Sequence, residues 1–134
     1  MMGSMVKSLA LLILLSGTLA IEAQEKPAAT THFVIVLERG PNWLAGKSVS
    51  EQPLREHGRY LQKLMESGKL VFAGPFLDDQ GGIILLKASS LEEAQKIAGD
   101  DPAARNQIMR SVVHPFQIAF DSATGTTPFK RAQQ

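Results

Sequence analysis

Phe33-Val34-Ile35-Val36-Leu37 is apolar at every position, and so is Ile83-Ile84-Leu85-Leu86. Both runs are short and rich in branched aliphatic residues, which is the composition of β-strands. A strand with one wet face alternates apolar and polar side chains, because successive residues point to opposite sides of the sheet. An unbroken apolar run instead predicts a strand buried on both faces. The rest of the chain has to provide two covers for one sheet.

Outward from these runs the pattern reads β-α-β-β-α-β. The first strand spans 32–38. Ser50 is placed to cap a helix that has Pro53 in its first turn and runs to about Ser67, where Gly68 stops it. Residues 70–73 make a short strand ending at Gly74-Pro75, and 82–87 make a third strand after the Asp78-Asp79-Gln80-Gly81 turn. Ser90-Leu91-Glu92-Glu93 is a capping box that opens a helix to about Ala98. A short helical piece follows Pro102, and 112–120 is the last strand. Pro115 has no backbone donor, so this strand belongs at a sheet edge. Two helices on one face of a four-stranded antiparallel sheet give an α+β, ferredoxin-like βαββαβ fold. The helices cover one face only. The second cover is expected to be the sheet of another copy, giving a two-fold homodimer that meets through its sheets. The alternative is a monomer whose tail folds across the sheet.

The chain has 134 residues, enough for one domain. Lys7, an apolar run over 8–20 and small residues up to Ala23 describe a secretory signal peptide over 1–23. The run is shorter than the roughly 20 residues that span a bilayer. No stable membrane span is therefore expected after cleavage, and the expected location is the periplasm or the exterior. Residues 24–31 read as a linker, 32–120 as the folded domain and 121–134 as a flexible tail. The chain has no cysteine, which removes disulfides, thiolate nucleophiles and zinc–cysteine sites. The leader takes one basic residue (Lys7) and one acidic residue (Glu22), so the net charge stays at +1. No block of Lys or Arg exists, and nucleic acid is not an expected partner.

The candidate chemistry centres on His57. In Leu54-x-x-His57-x-x-x-Leu61-x-x-Leu64 it shares a helical stripe with three leucines. An ionisable ring aimed at a core is either a satisfied structural group or a working acid–base. Asp101 precedes Pro102 and so stands at a helix boundary. It can cap the following turn, supply a carboxylate that orients His57, or do both. Gly74-Pro75-Phe76 ends a strand, where glycine allows close backbone approach and Phe76 can wall a pocket. Tyr60 neighbours the His57 stripe, and Arg39 ends the first strand, where it can attract an anionic ligand. Each of these has a plainer alternative as an ordinary turn, a packing residue or a solvated charge. The three histidines, His32, His57 and His114, lack metal-ligand spacing, and no metal or organic cofactor is expected.

Taken in order, these motifs resemble the YCII-related (YciI-like) family of the dimeric α/β-barrel superfamily. The residues that carry the resemblance are Arg55-x-His57-x-x-Tyr60-Leu61, Gly68-Lys69-Leu70, Gly74-Pro75-Phe76, Leu91-Glu92-Glu93-Ala94 and Asp101-Pro102. The resemblance covers about residues 33–120. It implies a small ferredoxin-like dimer with a pocket lined by a His, mapping to His57, and an Asp, mapping to Asp101. Related members of the superfamily act on small cyclic molecules, including muconolactones, while the family has no uniform reaction. Two functions are expected to compete. One is a cofactor-free enzyme using a His57/Asp101 acid–base pair on a small cyclic or carbonyl compound, by isomerase, lyase or hydrolase chemistry. The other is a non-catalytic small-molecule-binding or dimeric interaction module of the cell envelope.

Overall fold

The computed structural model describes residues 31–123. The expected signal peptide, nearly all of the linker and most of the tail lie outside the described residues. Strand β1 (Thr31–Arg39) is followed by helix α1 (Arg55–Glu66), strands β2 (Leu70–Pro75) and β3 (Gly81–Ala88), helices α2 (Leu91–Asp100) and α3 (Pro102–Arg105), and strand β4 (Met109–Phe116). The sheet order is β2-β3-β1-β4, with every neighbouring pair antiparallel. This is the α+β, ferredoxin-like arrangement that the element order predicts. Among the described residues no helix is long and apolar enough to cross a membrane.

The two apolar runs lie side by side in the middle of the sheet, where Phe33 opposes Leu86 and Ile35 opposes Ile84. Phe33, Ile35, Leu37, Ile84 and Leu86 are buried beneath the helices and form the core with Leu64, Ala94, Ile97 and Met109. Alternation sends Val34, Val36, Ile83 and Leu85 to the opposite face. Leu85 is buried but stands outside the core cluster, between Val34 of β1 and Phe72 of β2. Around it, Phe72, Val112 and Phe116 are 52%, 41% and 43% exposed, so this second face is a broad apolar surface.

Several boundaries differ from the expected ones, and β2 and α2 each run two residues further, to Pro75 and Asp100. Helix α1 begins at Arg55 rather than after Ser50. Glu51 accepts a hydrogen bond from the Ser48 amide, which closes a 3-10 turn over Val49–Glu51 instead. Gln52, ahead of Pro53, is extended at ψ 151, as a residue before proline prefers. Strand β4 spans Met109–Phe116 rather than 112–120, because its partner β1 begins at Thr31 and His32 already pairs with Phe116. Thr31, assigned to the linker, is the first residue of β1. Pro115 does sit on an edge strand, opposite Phe33. The Ser90 hydroxyl accepts from the Glu93 amide, as its sequence indicates, while the Glu93 carboxylate reaches one residue further back than a capping box would, to the Ser89 amide.

Candidate active site

His57 and Asp101 come from different elements and meet, although 44 residues separate them. His57 projects from the first turns of α1, on the stripe that its leucine spacing defines. Asp101 is the hinge between α2 and α3. Its backbone is extended at φ −61, ψ 126 ahead of Pro102, and its carboxylate accepts from the Ala103 amide at 2.8 Å, capping α3. The same carboxylate faces His57 Nδ1, with its two oxygens at 2.9 and 2.8 Å. The side chains of His57 and Asp101 are 13% and 4% exposed. A carboxylate can only accept, so Nδ1 carries the proton that joins the pair. In the neutral ring this leaves Nε2 as a bare lone pair. Among the described residues no protein group hydrogen-bonds to Nε2.

His57 opens onto a cavity of about 420 Å³. Leu54, just ahead of α1, and Leu61 within it form one wall, while Leu37, Ile84 and Met109 rise from the sheet. Ala73, Gly74, Gly81 and Gly82 form a floor without bulk. Glycine is required at two of these floor positions. A Cβ on Gly81 would stand 1.9 Å from the Leu37 carbonyl oxygen, and one on Gly82 would stand 2.7 Å from the Gly74 oxygen. The last wall is the 3-10 turn, through Val49 and Ser50. It is tied to the β2–β3 turn by the Asp79 carboxylate, which accepts from the Val49 amide at 2.8 Å. Asp79 adopts φ 60, a left-handed conformation that aspartate tolerates better than most residues.

The predicted site residues divide into two groups. Gly74 and Pro75 line the cavity with His57. Phe76 does not. It lies beyond the strand end, with its amide bonded to the Gly81 carbonyl. Tyr60 also stands outside the cavity. Its hydroxyl donates to the Ile97 carbonyl at 2.8 Å, and burial, reinforced by the Asp100 and Asp101 charges, pushes its ionisation up to about 12. Arg39 is turned away as well. Its Nε donates to the Asp79 carbonyl, and its guanidinium lies 5.3 Å from the centroid of the Trp43 ring. Sequence reasoning missed Ser50, read as a helix cap, and Asp79, read as a turn residue. The adjacent Gly81-Gly82 pair at a strand start was the signal that the floor offered. Among the described residues no group of three or more His, Cys, Asp or Glu side chains could hold a metal ion.

The YCII-related domain family matches residues 31–117, which takes in the whole sheet and both members of the pair. This chain belongs to that family. The YCII-related chain is 36% identical over 53 residues to the uncharacterized protein YjpA of Bacillus subtilis (strain 168). That match covers 40% of this chain and 62% of YjpA. The fold is similar to that of 5-chloro-2-hydroxyhydroquinone dehydrochlorinase (TftG) from Burkholderia phenoliruptrix AC1100, solved in complex with 2,5-dihydroxybenzoquinone. The TM-score is 0.52 at 22% identity, covering 64% of this chain and 93% of that one.

Proposed function

We propose that this YCII-related protein is a small enzyme in which His57 acts as general base and then general acid on a small cyclic or carbonyl compound. The observation that carries this reading is the Nδ1–carboxylate contact at 2.8 Å on a histidine that lines an apolar cavity. Nε2 takes a proton from a ring hydroxyl or from a carbon next to a carbonyl, and the electron pair left behind moves into the ring. Asp101 stabilises the imidazolium that forms. The proton then returns to another atom of the ring, giving isomerisation, or the pair expels a leaving group, giving elimination. The apolar walls limit water and strengthen the electrostatic coupling between the two side chains. The similarity to TftG, which acts on a hydroxylated ring, supports a substrate of this size.

The test is turnover of a panel of lactones, phenols and 5-chloro-2-hydroxyhydroquinone by the protein and by His57→Ala. Loss of roughly 10²–10⁴-fold in rate is expected for a positioned acid–base. A folded His57→Ala protein with full turnover would end the proposal. Saturable binding with no chemical change in any ligand would favour the binding-module reading.

The oligomer and the location belong to the same proposal. A second copy covers the apolar sheet face around Leu85, burying Phe72, Val112 and Phe116. Phe72→Arg, at an exposed position of this face, is expected to convert a dimer into a monomer in sedimentation velocity, and a wild-type monomer would refute the pairing. The leader over 1–23 carries the protein out of the cytoplasm, which N-terminal sequencing of the chain from a fractionated cell checks directly.

A further inference from the structure

We propose that the His57 cavity takes an uncharged hydroxylated ring and turns away rings that carry a carboxylate. This rests on the reading of the cavity as a ligand site and adds the charge class of the ligand. The polar side chains that line the cavity are His57 and Ser50, and no Lys or Arg is among the lining residues. Two carboxylates stand behind the walls. Asp101 backs His57 at 2.8 Å, and Asp79 backs the Val49 amide at 2.8 Å. The cation tied to this wall, Arg39, is committed outside the cavity to the Asp79 carbonyl and to the face of Trp43.

While the His57 ring is neutral, an anionic substituent entering this space loses its water, meets neither Lys nor Arg and faces a wall backed by two carboxylates, so its burial is uncompensated. A neutral hydroxyl group has different prospects, because it brings its own proton. It can donate to the free nitrogen of His57 or to the Ser50 oxygen. Ser48 Oγ donates to the Glu51 carboxylate, so Ser50 Oγ donates to Ser48 Oγ at 2.9 Å and keeps its capacity to accept. At about 420 Å³ the cavity lies within the range of small-ligand sites, about 300–1,000 Å³. Selection here comes from what the wall lacks, which is discrimination by an unfavourable term.

The experiment uses two rings that differ by one carboxylate, hydroquinone and 2,5-dihydroxybenzoate. Each is titrated into the full chain at a pH where the His57 ring is neutral, while its ring protons are followed by NMR. Hydroquinone is expected to move these signals saturably, and 2,5-dihydroxybenzoate to bind more weakly by roughly tenfold or more, a gap of about 1.4 kcal/mol. Ser50→Lys changes an exposed position, puts a cation on the wall, and is expected to narrow or reverse the ratio. Ser50→Ala is expected to weaken hydroquinone binding several-fold. Equal or tighter binding of 2,5-dihydroxybenzoate overturns the proposal, as does a failure of both rings to move the His57 signals. The readout is binding alone. A neutral ring that binds without conversion would therefore uphold this inference while counting against the enzyme.

Discussion

Replacing Asp101 by asparagine should reverse the tautomer of His57 without unfolding the site. In the protein, one carboxylate serves two donors, the Ala103 amide at 2.8 Å and His57 Nδ1 at 2.8–2.9 Å. An asparagine side chain has one acceptor oxygen and one NH₂ donor. With its oxygen toward Ala103 it still caps α3, a role asparagine performs as well as aspartate. Its NH₂ then points at Nδ1, which has to become the acceptor, so the ring proton moves to Nε2. The opposite orientation would leave the buried Ala103 amide unsatisfied, at a cost of about 1–3 kcal/mol, and this gap drives the choice. Stability should change little, while a base whose lone pair has moved should lose roughly 10²–10⁴-fold in rate. The assay is a long-range proton–nitrogen NMR spectrum of the histidine rings at a pH where they are neutral, taken beside turnover. A persistent Nδ1–H signal in Asp101→Asn would refute the hydrogen-bond argument. A reversed tautomer with undiminished turnover would refute the role given to Nε2.

Three further outcomes follow from single contacts. Tyr60→Phe removes the hydroxyl bonded to Ile97 and should cost about 0.5–1.5 kcal/mol in urea unfolding while leaving turnover intact, since Tyr60 stands outside the cavity; a large fall in rate would place that hydroxyl in the reaction. Glu93 is held down to about 2 from its ordinary 4.5 by Lys69 and by the amide and hydroxyl of Ser89. Its folded value lies below its unfolded one, so its contribution is present above about pH 4.5 and fades as pH falls toward 2. Glu93→Gln should therefore lower the urea midpoint at neutral pH and flatten its decline across that acid range, and parallel curves for the two proteins would show that the contact contributes nothing. Gly82→Ala puts a Cβ 2.7 Å from the Gly74 oxygen and 3.2 Å from the Pro75 Cα, so about 1–3 kcal/mol of overpacking should appear as a lower Tm, and an unchanged Tm would mean that the strands part freely.

Much of the fold was legible because each element carries its own local signal. The unbroken runs of β1 and β3 mark central strands, Pro115 marks an edge, and Ser90 with Glu93 marks a helix start. The start of α1 was misread because Ser50 has the chemistry of a cap. The competing turn is closed by Glu51 on Ser48 and held by the Gln52 side chain, which bonds the Leu44 and Lys47 carbonyls and the Leu44 amide. Of the candidate site, His57, Asp101, Gly74 and Pro75 were legible from spacing and from the family resemblance. Tyr60 was named for its nearness to the His57 stripe and Arg39 for its charge at the end of the first strand, and their side chains took other partners. Ser50 and Asp79 were hidden because a wall built from a loop has no periodicity to betray it.

The sequence by itself determined the order of the elements, the strands that lie centrally and the presence of an ionisable ring on an apolar helix face. These depend on contacts within a few residues, or on a period that hydrophobicity writes directly into the chain. The tertiary structure alone decided that the Asp101 carboxylate reaches His57 Nδ1, that two adjacent glycines open a floor beneath the ring, and that Arg39 is engaged elsewhere. Those are distances between segments as far apart as α1 and the α2–α3 hinge, and such a distance exists only once the sheet has set both helices on the same face.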